Sequence, residues 1–250
     1  MKPSFIDSKV NFHLEINSAE SFEYPNFVDS VLLSYRLSKL QNNTKRIIDI
    51  VGTLCCLMFF SPVMFGIAVG IKLSSRGPIF YKQKRIGLMG KSFYMLKFRS
   101  MNTNTTEKSH KDYIKYLLSD SSKNQNDNHC IEKYKDQINK RTTFVGKFLR
   151  KTSLDELPQL INVLRGEMSL VGPRPHPDYE VQRYKPWHYR RLTVTPGITG
   201  LSKVNVRCTP KNYDEAMRYD LRYIDNRSLI LDFKILLKTI PVVICGKGAH

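Results

Sequence analysis

The longest apolar segment of the chain is residues 50–71, IVGTLCCLMFFSPVMFGIAVGI, which contains no charged residue. As an α-helix this segment would measure about 33 Å, enough to cross the hydrocarbon core of a bilayer. A buried core helix is the alternative, but such helices are seldom this long without a charge. The pattern therefore favours a membrane helix.

Ser61 and Pro62 lie at the centre of this segment. A proline inside a helix removes a backbone hydrogen bond and kinks the helix, and the carbonyl it frees needs another donor, which Ser61 is suited to be. Basic residues prefer the cytoplasmic side of a membrane. Both flanks are basic, with Arg36, Lys39, Lys45 and Arg46 before the segment and Lys72, Arg76, Lys82, Lys84 and Arg85 after it. We therefore expect a re-entrant helix, bent at Ser61-Pro62, whose ends emerge on one side.

Shorter patterned segments follow the apolar one. PIFY at 78–81 and SFYML at 92–96 are rich in β-branched and aromatic residues, which is typical of strands. Residues 219–240, YDLRYIDNRSLILDFKILLKTI, combine acids with an apolar-rich helical stretch suited to a membrane surface. Another helix is predicted by apolar residues at helical spacing followed by Gly166 as a stop: Leu157, Leu160, Ile161 and Leu164.

Two regions have no clear period. Residues 1–44 form an extension of unknown role, and residues 102–138 form a polar insertion in which 110–118 suits a short helix. The insertion contains His110, His129 and Cys130, whose spacing matches no metal site. We expect a membrane helix over 45–75 and a second domain over 76–250 that carries the insertion.

The composition of the chain indicates what kind of partner and compartment to expect. Forty Lys and Arg residues against 22 Asp and Glu residues give a net charge of +18, which indicates a polyanionic partner such as nucleic acid, an anionic membrane surface or phosphorylated substrates. The five cysteines include the adjacent pair Cys55 and Cys56 and do not resemble a disulfide framework, which favours a reducing compartment. The first ten residues lack the apolar core of a signal peptide.

Two adjacent carboxylates, Asp155 and Glu156, follow a run from Asn139 to Lys151 that contains no acid. One interpretation is a capping box, Ser153-x-x-Glu156, at the start of a helix. If the helix instead begins at Pro158, both carboxylates lie in the approach loop.

Arg174 lies between Pro173 and Pro175 in SLVGPRPHP. The prolines stiffen the backbone on both sides, and a guanidinium group held in this way suits bidentate recognition of a phosphate. An exposed arginine in a proline-rich turn is the alternative. TVTPGITG at 193–200 is a second constrained turn.

The order of these segments resembles the bacterial sugar transferase family, the monotopic polyprenyl-phosphate phosphoglycosyl transferases. The similarity begins with KRIIDIVGT, SP, SSRGPIFYKQKRIG and GKSFYMLKFRSM, and continues through VGKFLRKTSLDELPQLINVLRGEMSLVGPRP, TPGITG and YDLRYIDNRSLILDFKILLKT. It covers residues 45–240 apart from the insertion. The resemblance implies an α+β, mainly helical fold, in which a re-entrant helix-break-helix joins a small cytosolic catalytic domain with interfacial amphipathic helices.

The resemblance also implies a reaction at the bacterial inner membrane, on its cytoplasmic face. Asp155 would attack the β-phosphorus of a UDP-sugar, expel UMP and pass the phosphosugar to polyprenyl (undecaprenyl) phosphate, with Glu156 as its partner. Mg²⁺ is the expected cofactor, with Asp155 as a ligand, and membrane lipid is an expected partner. The residues expected to bind phosphate or support the site are Lys97, Arg99, Arg141, Arg150, Arg174 and Asp220.

Two positions depart from the family pattern. Asn139 stands before the Arg141 motif where the family often has an acid, and Lys203 stands where it usually has Gln. Three other classes remain as alternatives: a membrane-tethered nucleic-acid-binding protein, a membrane scaffold, and a glycosyltransferase that releases UDP. We expect no nucleic-acid partner, since neither a basic helix nor an aromatic-basic sheet reader is evident. Self-association into a homo-oligomer is left open.

Overall fold

The computed structural model describes residues 39–101, 142–206 and 213–244. The predicted insertion at 102–138, the short helix expected at 110–118, Arg141 and nearly all of the N-terminal extension lie outside these residues. The described residues from Lys45 onward belong to one compact unit. Its described part is mainly helical, with two small two-stranded sheets.

The longest element is helix α1, Lys39–Ser74. Its part from Asn43 to Ser74 is long and apolar enough to cross a membrane, and only 6% of its most apolar window is buried. Helix α1 continues through Ser61 and Pro62, so the break expected there is a proline within one helix rather than a gap between two. Ser61 donates a hydrogen bond to the carbonyl of Met58 at 3.0 Å, which confirms the role expected of its hydroxyl.

Both ends of α1 contact the rest of the compact unit. Near its start, the Arg46 guanidinium group donates to the carbonyls of Val163 and Leu164 at 2.6 and 2.8 Å. Near its end, Ile71 belongs to a buried cluster with Phe98 and Leu149. Thr53 is also buried, but between Leu54 and Val63 the side chains are exposed or half-buried, as Met58 shows at 82%. Helix α1 is therefore held to the protein at its two ends and not at its middle.

The first sheet is an antiparallel hairpin of β1, Phe80–Ile86, and β2, Ser92–Phe98. Both predicted strands are confirmed: the second half of PIFY lies in β1, and all of SFYML lies in β2. Strand β1 also includes the charged residues Lys82, Lys84 and Arg85. Strand β2 is buried on both faces: Phe93 and Met95 belong to one buried cluster, and Phe98, on the opposite face, belongs to another.

Helix α2, Phe144–Thr152, lies against the end of β2. Thr143 caps it by accepting a hydrogen bond from the Gly146 N–H at 2.9 Å. A Cβ atom on Gly146 would lie 2.0 Å from the carbonyl oxygen of Ser100, so only glycine permits this approach. Helix α2 leads directly into residues 153–156. This close contact therefore helps to position the segment that carries the two adjacent carboxylates.

Helix α3, Gln159–Leu164, follows those carboxylates and packs on β2. Its buried Asn162 accepts a hydrogen bond from the Leu96 N–H at 3.0 Å and donates one to the Tyr94 carbonyl at 2.8 Å. Gly166, with φ +79°, follows the end of α3, as the sequence predicts. Asn162 therefore ties the segment after the carboxylates to the backbone of β2.

The second sheet pairs β3, Ser169–Val171, with β4, Gly197–Thr199, in parallel. The strands lie so close that a Cβ atom on Gly197 would be 2.1 Å from the Gly172 nitrogen. This approach brings the Pro-rich loop after β3 next to α5, Leu201–Asn205, which follows β4. Between the two strands lie the short helix α4, Asp178–Val181, and a 3₁₀ segment, Pro186–Thr193.

The C-terminal stretch expected to be helical forms two helices, α6, Tyr213–Asp225, and α7, Leu229–Ile244. Tyr223 of α6 and Ile235 of α7 pack with Val171 in one buried cluster. The opposite side of α7 is apolar but exposed, and carries Ile230, Phe233, Leu237 and Ile240.

Candidate active site

Asp155 and Glu156 lie on a single 3₁₀ turn, Leu154–Glu156, between α2 and α3. Ser153 precedes the turn with φ 57° and makes no side-chain capping bond, so the capping-box interpretation is wrong. The alternative is confirmed, because Pro158 precedes the first residue of α3 and both carboxylates lie in the approach to that helix. The dyad is thus placed by a sharp turn of the chain rather than by a helix N-terminus.

Glu156 is surrounded by cationic groups. Its Oε1 lies 2.9 Å from Lys97 Nζ and its Oε2 lies 2.6 Å from Lys203 Nζ. Arg174 approaches Oε1 at 3.6 Å. Burial opposes ionisation, but the Lys203 and Lys97 ammonium groups outweigh it and hold the pKa of the Glu156 carboxyl well below its usual range. Glu156 is therefore a fixed carboxylate whose two oxygens are both engaged.

Asp155 has a different environment although it is adjacent in sequence. Its closest described ion pair is with Lys97, at 3.8 Å from Oδ2. Burial raises the pKa of the Asp155 carboxyl, the Lys97 charge opposes that rise, and the neighbouring Glu156 charge adds to it. Compared with Glu156, Asp155 is weakly engaged, and its ionised form is less stabilised by partners. Asp155 is therefore the less engaged carboxylate of the pair.

Lys97 connects the two carboxylates. It lies near the end of β2, and its ammonium group is within 4 Å of both Asp155 and Glu156. Burial lowers the pKa of Lys97, while the Glu156 carboxylate opposes that change. The position of Lys97 depends on Asn162, because that side chain bonds to the β2 backbone on either side of Met95.

Arg174 reaches the dyad from the loop after β3, and its side chain is 38% exposed. The backbone of this loop is held from behind. Arg191 Nη2 donates to the Arg174 carbonyl at 2.7 Å, and Arg85 Nη1 donates to the Pro175 carbonyl at 3.1 Å. The loop is therefore fixed by buried guanidinium groups, while the guanidinium group of Arg174 itself faces the dyad and solvent.

Asp220 supports that arrangement from α6. It is buried, and Arg191 binds its Oδ2 through Nε at 2.8 Å and Nη2 at 2.7 Å. Burial raises the pKa of Asp220, and the Arg191 charge opposes the rise. Asp220 thus reaches the candidate site through Arg191 and the Arg174 carbonyl, with no direct dyad contact among its described ones.

The other expected site residues lie in different places. Arg99 points away from the dyad, because its guanidinium group donates to the carbonyls of Arg76 and Ser75 at 2.9 and 2.7 Å, just after the end of α1. Arg150 lies on α2, and its charge lowers the pKa of Asp155, as do those of Lys97 and Arg174. The sequence identifies Lys203 only as a departure from the family pattern and does not identify Asn162 or Arg191. The departure itself was the available indication for Lys203.

The side chains near Asp155 could bind a magnesium ion only if the substrate supplied some of its ligands. The described parts of the chain contain no group of three or more His, Cys, Asp or Glu side chains that could hold a metal ion. Glu156 is already engaged by two ammonium groups, which leaves Asp155 as the carboxylate donor. Mg²⁺ commonly binds one or two carboxylates together with substrate phosphates. These residues therefore fit an ion shared with a diphosphate, not one held by the protein alone.

The chain matches a known protein family over most of its length. Residues 40–246 match the model of the family described as bacterial sugar transferase, and the chain belongs to that family. The matched range includes α1, the dyad, Lys203 and α7.

Several curated relatives are similar over most of this chain. Galactosyl transferase CpsE of Streptococcus agalactiae serotype III is 36% identical over 230 residues, which are 92% of this chain and 48% of that protein. UDP-glucose:undecaprenyl-phosphate glucose-1-phosphate transferase of Xanthomonas campestris pv. campestris is 40% identical over 213 residues, 82% of this chain and 40% of its own length. Exopolysaccharide production protein ExoY of Rhizobium meliloti is 38% identical over 210 residues, 82% of this chain and 88% of its own. The chain spans less than half the length of the first two relatives and most of the third.

Proposed function

We propose that this chain transfers the sugar 1-phosphate of a UDP-sugar to polyprenyl phosphate, with Asp155 as nucleophile and UMP as the released product. The relative from Xanthomonas campestris is named for a transfer of this kind, from UDP-glucose to undecaprenyl phosphate. One observation carries the assignment of roles within the dyad. Both oxygens of Glu156 are engaged by lysines at 2.9 Å or less, whereas the nearest described cation to Asp155 is 3.8 Å away.

In the first half-reaction, an Asp155 carboxylate oxygen forms a bond to the phosphorus that bears the sugar. The bond from that phosphorus to the bridging oxygen breaks, and the oxygen leaves with UMP. A carboxylate needs no base to become a nucleophile, since it is ionised at neutral pH. Its disadvantage is repulsion from the diphosphate, which the charges of Lys97, Arg150 and Arg174 reduce.

In the second half-reaction, a phosphate oxygen of polyprenyl phosphate attacks the same phosphorus. The bond to Asp155 breaks, the carboxylate is restored, and polyprenyl-diphosphate-sugar leaves. The two steps balance without a net proton transfer. Asp155 would help to hold a Mg²⁺ ion, whose charge would partly neutralise the phosphates. Glu156 keeps Lys97 beside Asp155 in both steps.

The acceptor is a lipid, and the described surface suits a membrane. Helix α1 is held to the protein at Arg46 and Ile71, while its middle is exposed and apolar. The exposed apolar residues of α7, and Phe144 and Phe148 of α2 at 91% and 59%, provide further apolar surface. We propose that α1 enters and leaves the inner membrane on the cytoplasmic face, with α2 and α7 at the interface.

Product analysis with purified full-length protein tests this function. The wild-type chain in lipid nanodiscs, supplied with polyprenyl phosphate, Mg²⁺ and a panel of UDP-sugars, is expected to release UMP from at least one of them. Asp155→Asn should abolish release, because an amide is not a competent nucleophile. Without polyprenyl phosphate, the wild-type protein should carry a phosphosugar on Asp155, detectable by mass spectrometry of the intact protein and its peptides.

The matched control is Asp178→Asn, which changes an exposed carboxylate whose described partner is Gln182. It should release UMP at the wild-type rate. Glu156→Gln should slow UMP release without abolishing it. The amide oxygen can still accept a hydrogen bond from one lysine, but the negative charge and the second acceptor are lost. Release of UDP rather than UMP would show a transferase that moves the sugar alone. Near-normal UMP release by folded Asp155→Asn would remove Asp155 from the reaction.

A further inference from the structure

Lys203 holds the side of Glu156 that Lys97 does not reach. Its ammonium group donates to Glu156 Oε2 at 2.6 Å and to the Ile198 carbonyl at 3.2 Å. The Lys203 side chain is 16% exposed and that of Glu156 is 13% exposed. Two well-placed acceptors in a partly dry environment fix the direction of this ammonium group, unlike that of a surface lysine.

The two lysines come from different parts of the fold. Lys97 belongs to the β1–β2 hairpin, whereas Lys203 belongs to α5, which packs on α6 and α7. Glu156 is therefore the point at which the hairpin and the C-terminal helices both bind the dyad turn. If Lys203 did not engage Oε2, Lys97 and the more exposed Arg174 would be the remaining cations to hold Glu156 among its described partners.

The charges around the dyad show what a lysine adds at this position. Glu156 and Asp155 carry two negative charges, and Lys97, Lys203 and Arg174 carry three positive ones. A neutral glutamine, the residue usual in the family, would leave Lys97 as the only ammonium group among the described partners of Glu156. When Lys203 is present, its ammonium group balances the charge of Glu156 at Oε2, the oxygen that Lys97 does not contact. Lys97, only 3.8 Å from Asp155, then keeps donors for a third group.

We propose that Lys203 is a positioning residue for the phosphosugar transfer. It neutralises Glu156 from the side opposite Lys97, fixes the dyad turn between the two parts of the fold, and leaves Lys97 to bind the reacting phosphate beside Asp155. This inference rests on the proposed function and adds a residue to it. Lys203 acts through Glu156 and Lys97, and it does not touch the phosphorus.

Three substitutions separate its charge from its geometry. Lys203→Met removes both, Lys203→Gln keeps a donor without the charge, and Lys203→Arg keeps both. The measurement is the pre-steady-state rate of UMP release as a function of UDP-sugar concentration. We expect Lys203→Met to lower the maximal rate by about tenfold to a hundredfold, the range expected for small misplacement of reacting groups, with a change in KM of less than about threefold. Lys203→Gln should fall between Met and the wild type, and Lys203→Arg should stay within about threefold of the wild type.

A fall in the maximal rate with KM nearly unchanged, together with rescue by Lys203→Arg, is a result that a merely structural role would not give. The charged groups that face Glu156 are Lys97 from β2, Lys203 from α5, Arg174 from the loop after β3 and the adjacent Asp155. Loss of the Lys203 charge should therefore lower the maximal rate in both Lys203→Met and Lys203→Gln, whereas Lys203→Arg should restore it.

Lys185→Gln is the matched control, since Lys185 also forms a 2.6 Å ion pair, with Asp214, but at the surface and away from the dyad. It should leave the rate and KM unchanged. Wild-type-like rates in both Lys203→Met and Lys203→Gln would overturn the inference while the proposed function stands. If wild-type protein releases no UMP, the proposed function fails and the inference fails with it. Should Lys203→Met not fold, the comparison of Lys203→Gln with Lys203→Arg decides the question.

Discussion

The hydroxyl of Ser61 donates to the carbonyl of Met58 at 3.0 Å inside the apolar helix α1. Pro62 has no N–H, and the carbonyl four residues before it, that of Met58, loses its usual helical partner. Ser61 therefore supplies the hydrogen bond that Pro62 removes. In hydrocarbon, where an unpaired carbonyl costs several kcal/mol, this replacement lets the helix keep a proline at its centre.

Replacing Pro62 should change the topology of α1. Pro62→Ala restores an N–H to Met58 and removes the tendency to bend, so we expect a fraction of molecules to adopt a straight span with one flank outside. The measurement uses single cysteines at Lys39 or Arg76 in a background without the native cysteines. In intact cells, both positions should resist a membrane-impermeant thiol reagent in the otherwise native chain. A labelled fraction should appear with Pro62→Ala, kept small by the basic flanks.

Pro241→Ala is the control for that experiment, because it likewise removes a proline from the interior of a helix, α7. It should give no labelling at either position. Strong labelling of Lys39Cys in the chain that retains Pro62 would show a true membrane span and contradict the re-entrant arrangement.

The rate of UMP release should fall at acidic pH because Asp155 takes up a proton. Burial raises the pKa of Asp155, so this loss begins at a higher pH than for an exposed aspartate. Lys97 lowers the pKa of Asp155, and Lys97→Met should therefore move the acid side of the profile to still higher pH, besides lowering the rate. The pre-steady-state rate of UMP release, measured from about pH 4 to about pH 8, checks both expected shifts, because carboxyl groups titrate at the acid end of this range. A shift to lower pH would contradict the assignment.

The ionised form of Glu156 should stabilise the fold over a wide pH range. Its pKa is depressed in the folded protein, so its contribution is present above the pKa of the unfolded chain and disappears only as pH falls through the lower folded value. Glu156→Gln should thus lower the melting temperature at pH 7 and have less effect at strongly acidic pH. Thermal unfolding in detergent across this range measures the difference, and an effect that grows on acidification would contradict it.

Activity should require a divalent cation. The donors near Asp155 fit an ion shared with the substrate diphosphate, so excess EDTA should abolish UMP release and added Mg²⁺ should restore it. The covalent step should give ping-pong kinetics, with parallel double-reciprocal lines for the UDP-sugar and polyprenyl phosphate. Full activity in EDTA, or intersecting lines, would count against this mechanism.

Asn162→Ala should destabilise the protein. The buried amide bonds to the Leu96 N–H and the Tyr94 carbonyl, and unpaired buried groups of this kind cost about 1–3 kcal/mol each, so we expect a loss of about 2–4 kcal/mol in the free energy of unfolding. Asn205→Ala is the control, since the exposed Asn205 makes a local bond to the Leu201 carbonyl, and it should change stability by less than about 0.5 kcal/mol. Equal effects of the two substitutions on urea unfolding would show that Asn162 does not tie α3 to β2.

Features that depend on only a few neighbouring residues could be predicted from the sequence. Helix α1, the two hairpin strands and the stop at Gly166 all follow from local apolar spacing or local backbone preference. The role of Ser61 follows from its position next to Pro62 for the same reason. The dyad itself stands out because two acids follow a long basic run, and the family resemblance relates them to Lys97 and Arg174.

Only the tertiary structure decided how those residues meet. Whether Ser153 caps a helix depended on the turn between α2 and α3, and the local sequence favoured the wrong answer. Arg99 has the same composition signal as Lys97 two residues earlier, yet it binds carbonyls after the end of α1. By strand alternation Arg99 would share a face with Lys97, but β2 ends at Phe98, so the pattern of the strand does not place Arg99.

The partners of Glu156 show most clearly what the sequence alone does not predict. Lys97 is 59 residues away in the chain and Lys203 is 47 residues away, on the other side. Their ammonium groups meet one carboxylate because β3 and β4 approach closely at Gly172 and Gly197, and because Asn162 holds α3 on β2. The sequence determined which elements form and which charges they carry. The packing of those elements decided that Glu156 is held on both sides and Asp155 is not, because ion pairs between distant residues depend on the three-dimensional path of the chain.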